Sequence, residues 1–184
     1  MRIQIETLTS EKVLSGALPG RQAFASILAN IPSFSEPERI YLDFQGIETA
    51  TASFLRESIV GFRNYALSSL NNVYPVIANA APSVLEEIDF LVKHLGDTFW
   101  CCNLDLNGTV SNAKLLGTLD PAQYITFQLL IQLGSASARD LAKHEPEIGI
   151  TAWNNRLASL AAKGLLIESR HGKTKIFAPV LEVS

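Results

Sequence analysis

Side chains able to do chemistry are few in this 184-residue chain and rarely cluster. His94, His144 and His171 stand far apart, with no metal-ligand spacing among them. There is no glycine-rich phosphate loop ending in Gly-Lys-Ser/Thr and no Gly-x-Ser-x-Gly turn. Asp43 ends the run Ile40-Tyr41-Leu42-Asp43, a place where catalytic carboxylates often stand, but no partner for it is evident. Its plain role is to hold the turn at Gln45-Gly46 through its side chain. Cys101 and Cys102 are adjacent, so they cannot cross-link distant segments, and in a strand they point to opposite faces. A redox pair prefers the C-x-x-C spacing. The residues argue against an enzyme and call for no cofactor and no metal.

A denser set of polar groups lies between 151 and 175. Thr151, Asn154, Asn155, Arg156 and Ser159 share one helical stretch with the apolar Trp153, Leu157 and Leu160. Arg170, His171, Lys173 and Lys175 surround His171-Gly172-Lys173. Asparagine amides can bond adenine edges, and arginine can bond guanine or a phosphate. Trp153 falls on the apolar side and reads as core.

Fifteen Lys and Arg against eighteen Asp and Glu give a net charge of −3, so the chain as a whole offers no electrostatic case for nucleic acid. With 47% apolar and 18% charged residues it is neither disordered nor a charged tail. No apolar run reaches the roughly 18 residues of a membrane span, and Met1-Arg2-Ile3 opens no signal peptide. The expectation is a cytoplasmic globular protein.

The elements that must position these groups follow from periodicity. Alternation over 2–8 predicts a strand, and Phe24, Ile27, Leu28 and Ile31 predict a helix stopped by Pro32. Strands are expected over 39–44, 74–78 and 98–106, and helices over 51–70 and from Ser83, whose pairing with Glu86 spells a capping box. Asn107-Gly108 signals a hairpin turn. Strands alternating with helices argue for a largely parallel sheet with covered faces. After Gly117 the texture changes: helices over 120–133, 137–144 and 151–163, then strand-like runs over 165–169 and 174–178. Residues 1–119 carry eight cations and twelve anions; 120–184 carry seven and six. This sets a division into 1–117 and 120–184, and the expectation that 1–117 folds alone.

The run from Ile40 to Leu55, with Asp43-Phe44-Gln45-Gly46 and then Thr49-Ala50-Thr51-Ala52-Ser53-Phe54, resembles the strand-to-helix signature of STAS domains, the fold of anti-sigma-factor antagonists. It is closer to the STAS-like group of unknown function. Ser137 to Ala142, Gly149 to Thr151 and Arg156 to Ile167 resemble a winged-helix transcription regulator. Together these imply an α/β STAS-like domain plus a C-terminal winged helix-turn-helix.

The STAS resemblance implies a phosphorylatable serine at the helix start, and that position here is Ala52. Thr51 and Ser53 flank it and are, with Asp43, the phospho-site or partner-docking candidates; the simpler reading makes Thr51 a helix cap. The winged-helix resemblance makes 151–163 a recognition helix and 165–178 the wing. Its DNA-binding candidates are Thr151, Asn154, Asn155, Arg156, Ser159, Arg170, Lys173 and Lys175. The expected partners are DNA, a protein at the STAS-like half and a second copy in a homodimer, with no membrane. The competing reading is an adaptor that docks proteins with both halves and never touches DNA.

Overall fold

The computed structural model describes residues 1–183; Ser184, the last residue of the expected C-terminal unit, lies outside them. In chain order come β1 (Arg2–Gln4), α1 (Ile5–Thr9), β2 (Val13–Leu14), α2 (Ala17–Ala29), β3 (Glu38–Asp43) and β4 (Thr49–Ala50). Next are α3 (Ala52–Leu55), a π-helical segment (Arg56–Val60), α4 (Gly61–Ser69), β5 (Val73–Ala78), α5 (Pro82–His94), β6 (Thr98–Leu104) and β7 (Val110–Gly117). The rest is α6 (Pro121–Leu133), α7 (Ala138–His144), α8 (Ile150–Ala162) and the strands β8 (Leu166–His171) and β9 (Thr174–Pro179).

Five strands form one sheet in the order β1-β3-β5-β6-β7, parallel except for β7, which returns antiparallel beside β6. Because each new strand is added on the same side of the last, right-handed crossovers put every connecting helix on one face. Ile40, Leu42, Ile77, Phe99, Cys101 and Leu116 point to that face and pack with α2, α3, α4 and α5. The alternate residues Val76, Ala78, Trp100, Cys102, Leu104 and Ala113 point the other way. That second face is covered by α6, α7, α8 and the β8–β9 hairpin through Phe127, Leu130, Leu141, Trp153, Leu157 and Phe177. Residues beyond Asp120 therefore complete the sandwich of the sheet. The expectation that 1–117 is self-sufficient does not fit this packing, since the fragment would leave Trp100 and its neighbours bare.

Three local expectations change. The first strand stops at Gln4, because its partner β3 ends at Asp43, opposite Gln4; past that point Ile5 is buried at the start of a helical turn instead. Helix α2 starts at Ala17, before Pro19-Gly20, since proline is tolerated in a first turn. Gly20 lets α2 meet α3, for a Cβ there would stand 2.7 Å from the Phe54 carbonyl oxygen. The capping box at Ser83 is absent: Ala81 is the N-cap, Pro82 follows it, and the Ser83 hydroxyl donates to the Glu48 carbonyl at 2.8 Å.

Candidate nucleic-acid interface

Helix α8 forms because its buried positions, Trp153, Leu157 and Leu160, recur at helical spacing, and Gly164 at φ +71° ends it. The opposite stripe, Thr151, Asn154, Asn155, Ala158 and Ala162, is exposed and carries no charge. Two expected members of that face are committed elsewhere. The Ser159 hydroxyl accepts a hydrogen bond from Gln123 Nε2 of α6 at 2.8 Å, which turns it into the α6–α8 contact. The Arg156 guanidinium is half-buried and lies over the Trp153 ring, 5.2 Å from its centroid, a cation–π arrangement.

The hairpin is registered from Leu166 opposite Pro179 to His171 opposite Thr174, with Gly172 at φ +62° in the turn. Ala136 and Phe177 exchange two backbone bonds at 3.0 Å, fixing the hairpin to the segment before α7. Arg170, His171 and Lys173 are exposed at the tip. Lys175 is paired with Glu168 across the hairpin at 2.8 Å, so its charge is largely compensated. Lys143 pairs with Asp140 at 3.2 Å. Among the described residues, Arg139, Arg170 and Lys173 are the cations of this half that make neither a side-chain ion pair nor a hydrogen bond nor a stacking contact.

Helix α7 is set by Ser137. Its hydroxyl accepts from the Asp140 amide while the Asp140 carboxylate accepts from the Ser137 amide and hydroxyl. Those bonds from Ser137, with help from Lys143, lower the Asp140 pKa from 3.8 to about 2.

The other candidates lie at the carboxyl ends of β3 and β4. Asp43 is fully buried, not a docking residue: it is ion-paired with Arg2, and its Oδ1 accepts from the Gln45 amide and from Asn79 Nδ2, both at 3.0 Å. The expected turn-holding role is there, and the partner that sequence did not reveal is Arg2. Thr51 caps α3, accepting from the Phe54 amide at 3.4 Å, and lies 3.1 Å from the Ser53 hydroxyl. Glu87 of α5 reaches the same helix end, accepting from the Ala52 amide at 2.9 Å. A carboxylate thus already accepts at the helix end that Thr51 and Ser53 flank.

Cys101 and Cys102 do point to opposite faces, one in each core layer, and burial pushes their thiols up to about 11 and about 12. Both are poor nucleophiles at neutral pH. No helix among the described residues is long and apolar enough to cross a membrane. No protein-family model matches the chain, and no curated protein is recognisably similar to it.

Proposed function

We propose that this chain is a DNA-binding regulator in which α6, α7, α8 and the β8–β9 hairpin act as a winged helix and the STAS-like half receives a signal from a protein partner. One observation carries the reading: α8 offers an acid-free stripe of Thr151, Asn154, Asn155 and small alanines, and the next element ends in a cationic tip. The amides of Asn154 and Asn155 bond base edges; Arg170 and Lys173 hold phosphates and set the register. Alanines at 158 and 162 let the helix backbone approach the groove floor. On the STAS-like half, the exposed Gln45, Gly46, Glu48, Thr49 and Thr51 form the docking loop.

The adaptor reading has its own support. Glu145 and Glu147 are exposed just before α8, together with Ile150, and acids at that point oppose a phosphate backbone. Fluorescence anisotropy of the full chain with a random duplex at low salt separates the two. DNA binding should weaken as salt rises, with a slope of log affinity on log salt near −3 for about three phosphate contacts. No binding at low salt leaves the adaptor.

A further inference from the structure

The helix that starts at the proposed docking loop is the same one that holds the end of α8. Residues 52–69 run without a break through α3, the π-helical segment and α4. At the first end Thr51 caps the helix and Glu87 accepts the Ala52 amide. Towards the other end, Arg63 donates to the Lys163 carbonyl at 2.6 Å, and Leu67 lies against Gly164. The π-helical segment, Arg56–Val60, sits between the two.

Its closing bond is divided. The Gly61 amide donates both to the Arg56 carbonyl, five residues back, and to the Ser58 carbonyl, three back. A regular α-helix would send that amide to Glu57. One turn earlier, the buried Ser58 hydroxyl donates to the Phe54 carbonyl at 2.7 Å, a back-bond of the kind that bends helices. Gly61 itself has helical angles, φ −57° and ψ −49°, which any residue adopts. Packing does not require a glycine either. A Cβ there would meet the Arg56 carbonyl oxygen at 3.6 Å and the Phe24 ring at 3.8 Å, both ordinary contacts. Glycine is among the poorest helix formers, so what it supplies at this joint is backbone freedom.

We propose that residues 56–61 form a hinge through which occupation of the docking loop loosens the end of α8. The divided amide has two carbonyls to choose between, and each choice sets the following helix at a different angle. One full step of register moves the rest of a helix by about 1.5 Å and turns it by about 100°. A fraction of that takes the Arg63 guanidinium off the Lys163 carbonyl, because hydrogen bonds weaken steeply with angle. The hinge rests on the docking-loop half of the proposed function and is independent of DNA.

Hydrogen exchange of the full chain, read by mass spectrometry, tests it with no partner present. Ser53→Asp adds a charge beside Glu87 at the loop end. It should speed exchange over 158–166 about threefold, with the amides of β6 unaltered as the reference. Combined with Gly61→Ala, the same change should still speed exchange over 52–55 but no longer reach 158–166. Unchanged exchange over 158–166 in Ser53→Asp, a rise of equal size in β6, or an undiminished response alongside Gly61→Ala overturns the hinge. Should Ser53→Asp fail to fold, Glu87→Gln disturbs the same helix end and is read by the same outcomes. Should Gly61→Ala fail to fold, Ser58→Ala removes the back-bond in its place. The docking loop fails by a different measurement, a bound partner's footprint that spares residues 45–53.

Discussion

The Arg63 guanidinium of α4 donates to the main-chain carbonyl of Lys163, the residue that ends α8, at 2.6 Å. The same group is ion-paired with Asp97 and lies 5.2 Å from the Phe99 ring centroid. Close by, Gly164 packs on Leu67 of α4 so tightly that a Cβ would come within 2.8 Å of it, and Trp100 Nε1 donates to the Leu165 carbonyl at 3.0 Å. The end of α8 is thus tied to both the sheet and the helices behind it. Arg63→Leu strips Asp97 of its guanidinium partner, leaving it the Thr98 amide and the more distant Lys163 ammonium, and takes a donor from the Lys163 carbonyl; it should cost about 3 kcal/mol, as for other broken buried pairs. Urea unfolding of the variant should show a lower midpoint in one transition that includes α8.

Residues 1–117 without the rest would expose Trp100, Val76, Ala78, Leu104 and Ala113 to water. Removing a large aromatic's packing alone is worth about 3–5 kcal/mol, which approaches the whole stability of a domain. The fragment should therefore bind a hydrophobic dye and show no sharp calorimetric transition; a sharp one would mean that the exposed face is tolerated.

Ser53→Asp brings a second carboxylate to the helix end where Glu87 already accepts the Ala52 amide. An acid at a helix N-terminus ordinarily stabilises by about 0.3–1 kcal/mol. Here repulsion from Glu87 should cancel or reverse that gain, and Glu87→Gln should restore it. A double-mutant cycle on thermal stability reads the coupling directly.

The capping box of α7 has a pH signature. Asp140 titrates at about 2 in the folded chain against an ordinary 3.8, so its contribution is present above about pH 4 and is lost as pH falls towards 2. Asp140→Asn should lower the melting temperature at pH 6 and converge on the wild type near pH 2.

For DNA, Lys173→Ala should weaken binding to all duplexes alike and flatten the salt slope by about 0.9. Lys175→Ala should do less, because Glu168 already neutralises that charge. Asn155→Ala should instead relax sequence preference, at about 1–3 kcal/mol for a lost base contact. Anisotropy titrations against a selected site and a scrambled one separate the two behaviours.

The sequence by itself determined several local elements of this protein. Asp120-Pro121 starts α6, Ser137 with Asp140 starts α7, Gly164 ends α8, and Asn107-Gly108 lies in the turn before β7, because caps and turns are settled by residues within a few positions. Trp153 as core and the opposed faces of Cys101 and Cys102 were legible for the same reason, since side-chain direction follows periodicity. Arg63 left a faint mark as a charge set in the apolar stripe of Ile59, Phe62 and Ala66. Its partners Asp97 and Lys163, the pairing of Arg2 with Asp43, Glu87 at the start of α3 and Gln123 on Ser159 all join segments more than 30 residues apart. Only the tertiary structure decided these, and with them that residues beyond Asp120 cover the sheet. A continuous apolar run such as that of β6 says that both faces of a strand are covered, but which chain segment lies on each face is fixed by the order and handedness of the crossovers.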